Sequence, residues 1–296
     1  MLAALRRGGV RVTIVVLSDR RDAARLGELR AQIVLVDTIA ASLAAPHLAR
    51  LRARGSEIVA VAHMRTGAIT LARRADRVIA VSRALADELV AGGIDRRRIV
   101  VISPGRDRIA NRPNAKLGGP VLCVANWTSA KGIHTLVAAA ARVPSLVLDL
   151  VGDAPDEGYA ARVRHMIEAR GVAARVRVYG SLGTRALARR YEAASVFASP
   201  SIREGYPIVF VEALAHGLPI VGCDIAGVRE VTGGAAILVP PGRVAPFAAA
   251  VERLVRDDRL RRSLARRSLL RARQLPTWAQ SEARFVQSVR SGLPPH

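Results

Sequence analysis

Short β-branched runs alternate with longer helical stretches from one end of this chain to the other. The runs read VTIVVL (12–17), IVLV (33–36), IVAVA (58–62), VIAV (78–81) and IVVI (99–102). After the loop RIANRPNAKLGG (108–119) come VLCV (121–124), LVLDLVG (146–152), VRVY (176–179), VFAS (196–199), PIVG (219–222) and AILV (236–239). Runs that are apolar on both faces and separated by helices are the mark of parallel strands covered from both sides. The pattern predicts an α/β protein with two doubly wound domains, five strands in the first and six in the second. Predicted helices include 187–194, roughly 258–274 with a solvated Arg-rich face, and 207–216. The last has Pro207 at its start and Gly217 just past its end. Ligands of open α/β sheets lie beyond the carboxyl ends of the strands, so two such domains facing each other predict a cleft.

Composition narrows the class. The 296 residues leave room for two domains of roughly 150 residues each. Half the residues are hydrophobic and 24% are charged, which excludes a disordered chain. No apolar run approaches the ~20 residues of a membrane-spanning helix. Arg6, Arg7 and Arg11 interrupt the place where a signal peptide needs its apolar stretch. Cys123 and Cys223 lie in separate apolar stretches and form neither a disulfide framework nor a zinc site. The expectation is a cytoplasmic protein.

The formal charge is +22, with 46 basic residues against 24 acidic. The excess is spread evenly: residues 1–110 carry 20 Arg against 10 acidic residues, and residues 111–296 carry 26 basic against 14 acidic. Only Lys116 and Lys131 are lysines, so a compositional bias toward Arg is the first explanation. A basic face that docks on anionic membrane or grips phosphorylated substrates is the second. Nucleic acid is disfavoured, because the aromatics are scattered singly and build no stacking platform. The chain also lacks G-x-G-x-x-G, a P-loop, D-x-D, H-x-x-x-H and G-x-S-x-G, so dinucleotide, ATP, metal and serine-hydrolase chemistries lose ground.

The informative stretch is SPSIREGYPIVFVEALAHG (199–217). Pro207 pre-sets a helical turn and has no N–H, so the free amides at that helix start begin with Ile208 and Val209. Such a start offers N–H groups and the positive dipole end to an anion, typically a phosphate. Glu204 stands ahead of that point and Glu212 behind it, ~6 Å further along at ~1.5 Å per residue. Carboxylates accept hydrogen bonds from hydroxyls, so the arrangement suits phosphates flanked by a sugar and a ribose. On its own, the spacing equally describes an ordinary strand–loop–helix with two solvated glutamates.

The surroundings of that stretch resemble the family-4 retaining glycosyltransferases of the GT-B fold. The E-x7-E motif stands as Glu204–Glu212 within REGYPIVFVEALAHGLPIV, followed by CDIAGVREVTGGAAILVPPG. VLCVANWTSAKGIHTLVAAA is similar to the family's phosphate-binding strand–loop–helix, and DLVGD and VRVYGSLGTRALARRYEAASVFASPS match in order and spacing. ADRVIAVSRALADEL (75–89) and IVVISPGRD (99–107) resemble the end of the acceptor domain, and TWAQSEARF (277–285) the terminal helix that crosses back to it. The implied division is an acceptor-side domain over 1–110, a nucleotide-sugar domain over 111–275 and the crossing helix in 276–296.

The resemblance implies site residues one by one. Lys131 would neutralise the donor pyrophosphate, Glu212 hold the ribose hydroxyls, and Glu204 touch the hexose hydroxyls. Gly205, Tyr206, Ile208 and Val209 would offer backbone N–H groups to the sugar and distal phosphate. Val178 to Gly180 would lie near the base, His63 beside the transferred sugar, and Gly105 in a turn facing the cleft. Trp127, His134, His165 and His216 read as packing or surface residues. Two departures stand out. Asn126 occupies a place where the family usually has an Arg for the phosphates, and an amide brings no charge. The family's first strand and its glycine-rich loop have no counterpart ahead of MLAALRRGGVRVTIVV, so the expectation is a mis-assigned start, a fragment or a truncated relative.

The implied activity is transfer of a hexose from a UDP- or GDP-linked sugar to an acceptor hydroxyl with retention of configuration and without a metal. The acceptor is a glycan, a lipid or a small molecule. The alternative is a non-catalytic nucleotide-sugar binder.

Overall fold

A computed structural model describes residues 1–107 and 109–291. Residue 108, at the head of the expected linker, and residues 292–296, at the close of the expected terminal segment, lie outside the described residues. The chain divides into two compact units, Met1–Gly105 with Pro276–His296, and Arg106–Leu275.

The first unit is built on four parallel strands, β1 (Ile33–Asp37), β2 (Glu57–Ala62), β3 (Arg77–Ala80) and β4 (Ile99–Val101), lying in that order. Alternate residues face opposite sides of the sheet. Val59 and Ile79 join Leu5, Ile102, Phe285 and Val289 in one apolar cluster, so the terminal helix Trp278–Arg290 packs as part of this unit's core. Thr277 and Gln280 form a capping box at its start, which satisfies amides that would otherwise lack acceptors. At the other end of the helix, Arg77 bonds the Ser288 carbonyl and pairs with Glu57.

The run 12–17 forms no strand, which corrects the expected five strands of this unit to four. Val12 packs against the core cluster, whereas Ile14 and Val16 are 55% and 73% exposed. β-Branched side chains favour a pleated surface, but a strand also needs a neighbouring backbone to take its hydrogen bonds. Among the described residues β1 is paired on one side only, by β2, and nothing forms a ladder with 12–17.

The second unit holds six parallel strands, β5 (Val121–Val124), β6 (Leu148–Val151), β7 (Val176–Val178), β8 (Val196–Ser199), β9 (Ile220–Cys223) and β10 (Ala236–Val239). Their order is β10-β9-β8-β5-β6-β7. Val121 and Cys123 face one buried cluster with helices Ile133–Arg142, Glu157–Ala169 and Val244–Arg256. Leu122 and Val124 face the other, with helices Thr184–Ala193, Ile208–Ala215 and Ala226–Thr232. Burial on both faces of β5, β6, β8 and β9 explains why those runs show little polar alternation, whereas the edge strand β7 is exposed at Arg177 and Val178. Both cysteines are free and buried, and burial pushes their thiols up to about 12 and about 11.

The strand order reverses between β5 and β8: from β5 the chain winds outward through β6 to β7, then returns to β8 and winds the other way. In doubly wound sheets the crevice outside the carboxyl ends at such a reversal is where ligands bind.

Candidate functional site

Two loops converge beyond the carboxyl ends of β5 and β8. The loop after β5 carries Asn126 and, in a single 3-10 turn Ser129–Lys131, the lysine. The loop after β8 carries Glu204 and runs into helix Ile208–Ala215. The Ile202 amide donates to the Ala130 carbonyl at 2.9 Å, tying the two loops together. Gly132, at φ +66°, lies so close to the Pro200 carbonyl that a Cβ there would overlap it. On the far side, a Cβ on Gly227 would come within 2.8 Å of the Glu204 carbonyl, so helix Ala226–Thr232 backs the same loop.

This backbone arrangement places Lys131 Nζ 2.7 and 2.9 Å from the two oxygens of Glu204. The Glu204 side chain is only 8% exposed and that of Lys131 is 30% exposed. The ammonium therefore compensates a carboxylate that would be costly to bury alone. It remains reachable from solvent.

Helix Ile208–Ala215 begins at Pro207, with no side-chain cap. The amides of Phe210 and Val211 reach back to the Pro207 carbonyl, whereas those of Ile208 and Val209 have no acceptor among the described residues. The helix closes with paired bonds, Gly217 N–H to the Leu214 carbonyl and Leu218 N–H to the Ala213 carbonyl, around Gly217 at φ +67°. Phe210 anchors it to the sheet, edge-on to Phe197 at 5.3 Å and against Gly222. Removing that ring would cost about 3–5 kcal/mol.

Glu212, in the second turn, receives the Tyr191 hydroxyl on Oε2 at 2.7 Å. Burial pushes its carboxyl above the ordinary value of 4.5, the Tyr191 bond pulls it back, and the Asp107 charge adds to the rise. Tyr206, between the two glutamates, packs its ring on the core. Its buried hydroxyl has no partner among the described residues, and burial with the nearby Glu230 charge pushes it up to about 12.

Asn126 is exposed, and its side-chain carbonyl accepts the Asp153 amide at 3.3 Å across the ends of β5 and β6. At the end of β7, Val178 is 48% exposed. The Tyr179 amide donates to the Leu150 carbonyl and the Gly180 carbonyl accepts from Gly152. Arg190 lies 4.4 Å over the Tyr179 ring and donates to its hydroxyl at 2.9 Å. Beneath them the fully buried Asp149 takes Arg177 Nε at 2.6 Å. Two strand spacings, about 10 Å, separate β7 from β5.

In the first unit, His63 follows β2 and Asp37 closes the neighbouring β1. His63 Nε2 is 2.9 Å from Asp37 Oδ2, while Asp37 Oδ1 accepts the Ile39 amide at 2.8 Å. Gly105 is buried where a Cβ would overlap the backbone of Thr277 and Trp278, a packing reason sufficient for glycine.

Within the second unit, then, Lys131 meets Glu204, and Ile208, Val209 and Glu212 share one helix. Four residues that matter to this geometry were not singled out from sequence. Tyr191 lies within the predicted helix 187–194, and Asp107 closes the stretch IVVISPGRD that resembles the acceptor domain. Gly132 follows the lysine directly. Asp37, a polar residue closing an apolar strand at its carboxyl end, offered the one usable signal. The packing readings stand for Trp127, buried under Arg164, for His134, bonded to the Tyr159 hydroxyl, and for His216, stacked on Tyr191.

Residues 107–270 match the family described as glycosyl transferases group 1, and residues 13–108 match glycosyltransferase family 4. The lipopolysaccharide core biosynthesis glycosyltransferase LpsE of Rhizobium meliloti (strain 1021) is 33% identical over 184 residues, 58% of this chain and 52% of that protein. The D-inositol 3-phosphate glycosyltransferase of Nocardia farcinica (strain IFM 10152) is 30% identical over 242 residues, 74% of this chain and 53% of that one. The chain thus spans about half the length of these curated relatives. Among solved structures, Anabaena HepE in complex with UDP and glucose superposes with a TM-score of 0.78 at 21% identity, covering 92% of this chain and 81% of that one. Sucrose-phosphate synthase from Thermosynechococcus elongatus gives 0.76 at 22% identity, covering 88% and 73%. At such identities the likeness is one of fold.

Proposed function

This chain belongs to the glycosyl transferases of group 1 and has the GT-B fold, and on that premise we propose that it transfers a hexose from a nucleoside-diphosphate sugar to an acceptor hydroxyl with retention of anomeric configuration. The observation that carries the reading is the Lys131–Glu204 pair at the strand reversal, beside a helix start whose first amides are unclaimed. A diphosphate brings negative charge that an ammonium and a helix N-terminus both favour. Glu212 receives the ribose hydroxyls, Glu204 the hexose hydroxyls, and the strand end at Val178–Gly180 the base, with Asn126 donating its amide to phosphate.

Transfer then proceeds by electrostatic support of the leaving group. The bond between the anomeric carbon and the diphosphate oxygen breaks, and Lys131 with the amides of Ile208 and Val209 stabilises the charge that develops there. The acceptor oxygen bonds the anomeric carbon on the face the diphosphate leaves, and its proton passes to the departing phosphate. On this scheme Glu204 orients the sugar and is not a nucleophile, and no step calls for a metal. His63 serves the transfer step, and Asp37 sets its ring. A UDP-linked donor is favoured by the HepE complex with UDP-glucose. The acceptor is a glycan, lipid or small molecule. No helix among the described residues is long and apolar enough to cross a membrane, and the Arg excess suits a peripheral contact with anionic lipid.

Asn126 favours one competing reading, a non-catalytic binder, because the diphosphate then lacks a second positive charge. Calorimetry with UDP and GDP alongside turnover of UDP-glucose separates the two. Binding with turnover supports transfer, binding without turnover supports the binder, and binding of neither nucleotide overturns both.

A further inference from the structure

Tyr191 is 1% exposed, yet its one polar atom is spent on a residue of another helix. Its ring is held by two others, stacked on His216 at 4.9 Å and 8° and on Phe197 at 6.1 Å and 29°. Its backbone carbonyl accepts the Asn114 side chain at 3.0 Å. A phenol fixed this firmly presents its O–H in one direction, toward Glu212 Oε2 at 2.7 Å, with the Val209 carbonyl a poorer acceptor at 3.4 Å. Glu212 Oε1 has no hydrogen bond among the described residues.

We infer that Tyr191 is a positioning residue for nucleotide recognition: it occupies one oxygen of Glu212 and directs the other at the hydroxyls of a bound ribose. The inference rests on the proposed role of Glu212 as the ribose acceptor.

Two physical effects follow from the bond. The first is orientation, since a carboxylate held by one donor loses less rotamer freedom on binding a diol. The second is charge. Glu212 is pushed toward its neutral form by burial and by the Asp107 carboxylate, and the phenol bond opposes both. A protonated carboxyl would present a donor as well as acceptors and would bind a diol less well. The groups around the pair are Asp107 from the loop ahead of β5, His216 one turn along the helix from Glu212, and Glu192 beside His216. Burial holds His216 below its ordinary 6.5, so the ring stacked on Tyr191 is neutral at pH 7.

The test is Tyr191→Phe, which keeps the ring stack and removes only the hydroxyl. The expected result is UDP affinity weakened about tenfold, the scale of one hydrogen bond to a charged group, with kcat preserved. The acid limb of UDP binding should move to higher pH. Binding of 2′,3′-dideoxy-UDP should be the same in both proteins, because that ligand has no ribose hydroxyls to present. Carbon-13 titration of the Glu212 carboxyl, which needs no ligand, should show it titrating at higher pH in the variant. Equal loss for UDP and its dideoxy analogue, or an unmoved carboxyl titration, overturns the inference. Glu212→Gln separates the two levels. If it loses UDP affinity while Tyr191→Phe does not, only the role of Tyr191 falls. If Glu212→Gln binds UDP as tightly as the parent, the ribose role of Glu212 falls and this inference falls with it.

Discussion

Lys131 and Glu204 lie 73 residues apart in sequence, yet the lysine ammonium bonds both oxygens of the glutamate, at 2.7 and 2.9 Å. One partner is nearly buried and the other is partly open, and that asymmetry decides what each substitution does. Lys131→Ala strands an uncompensated carboxylate at 8% exposure and should cost about 3 kcal/mol of stability. Lys131→Ala with Glu204→Gln leaves no buried charge and should recover most of that loss. Urea denaturation of the two variants checks this, and equal destabilisation would show that the pair contributes through packing. Neither variant should turn over UDP-glucose.

Asp107 offers a test by pH. The folded-state value of Glu212 lies above the ordinary 4.5, with burial the larger cause and Asp107 a further one. Between 4.5 and the raised value the native chain holds a proton that the unfolded chain has released, so stability falls as pH rises through that window. Asp107→Asn removes one cause and narrows the window. The variant should therefore be more stable than the parent at pH 7, with the gap closing as pH falls toward 4.5. Denaturation midpoints from pH 4 to 8 decide it, and a gap that does not change with pH would exclude the linkage.

Gly132 separates Lys131 from the helix that follows. An added methyl would meet both a left-handed φ of +66° and the Pro200 carbonyl. Gly132→Ala should cost about 1–3 kcal/mol and weaken UDP binding more than kcat, since it displaces the loop that carries the lysine. Unchanged affinity would show that the lysine reaches its ligand whatever the loop position.

Asp37 bonds the His63 ring through Nε2, which leaves Nδ1 as the acceptor in the neutral ring. Asp37→Asn keeps the bond to the Ile39 amide available while replacing the carboxylate. Turnover should fall about tenfold with nucleotide affinity unchanged, the scale of a second-layer orienting contact. A parallel loss of UDP affinity, measured calorimetrically, would contradict that assignment.

What could be read in advance, and what could not, divides along physical lines. The four inner strands of the second unit were legible because burial on both faces writes itself into a single run, as in VLCV and VFAS. Helix 208–215 was legible because proline and glycine mark its ends. The run VTIVVL misled, because β-branching reports a side chain's preference and says nothing of whether a neighbouring backbone exists to pair with. The contact of Lys131 with Glu204 depends on β8 lying beside β5, and no local pattern encodes strand order. Tyr191 reaching Glu212 depends on how two helices rotate against one sheet, a matter of packing that only coordinates supply.

The last helix, Trp278–Arg290, contributes Phe285 and Val289 to the interior of the first unit. Trimming the polypeptide from its carboxyl end therefore does not shorten the unit that holds Lys131 and Glu212. It opens a wall in the one that comes before it in the chain, so that unit can finish folding only after the whole of its companion has been made.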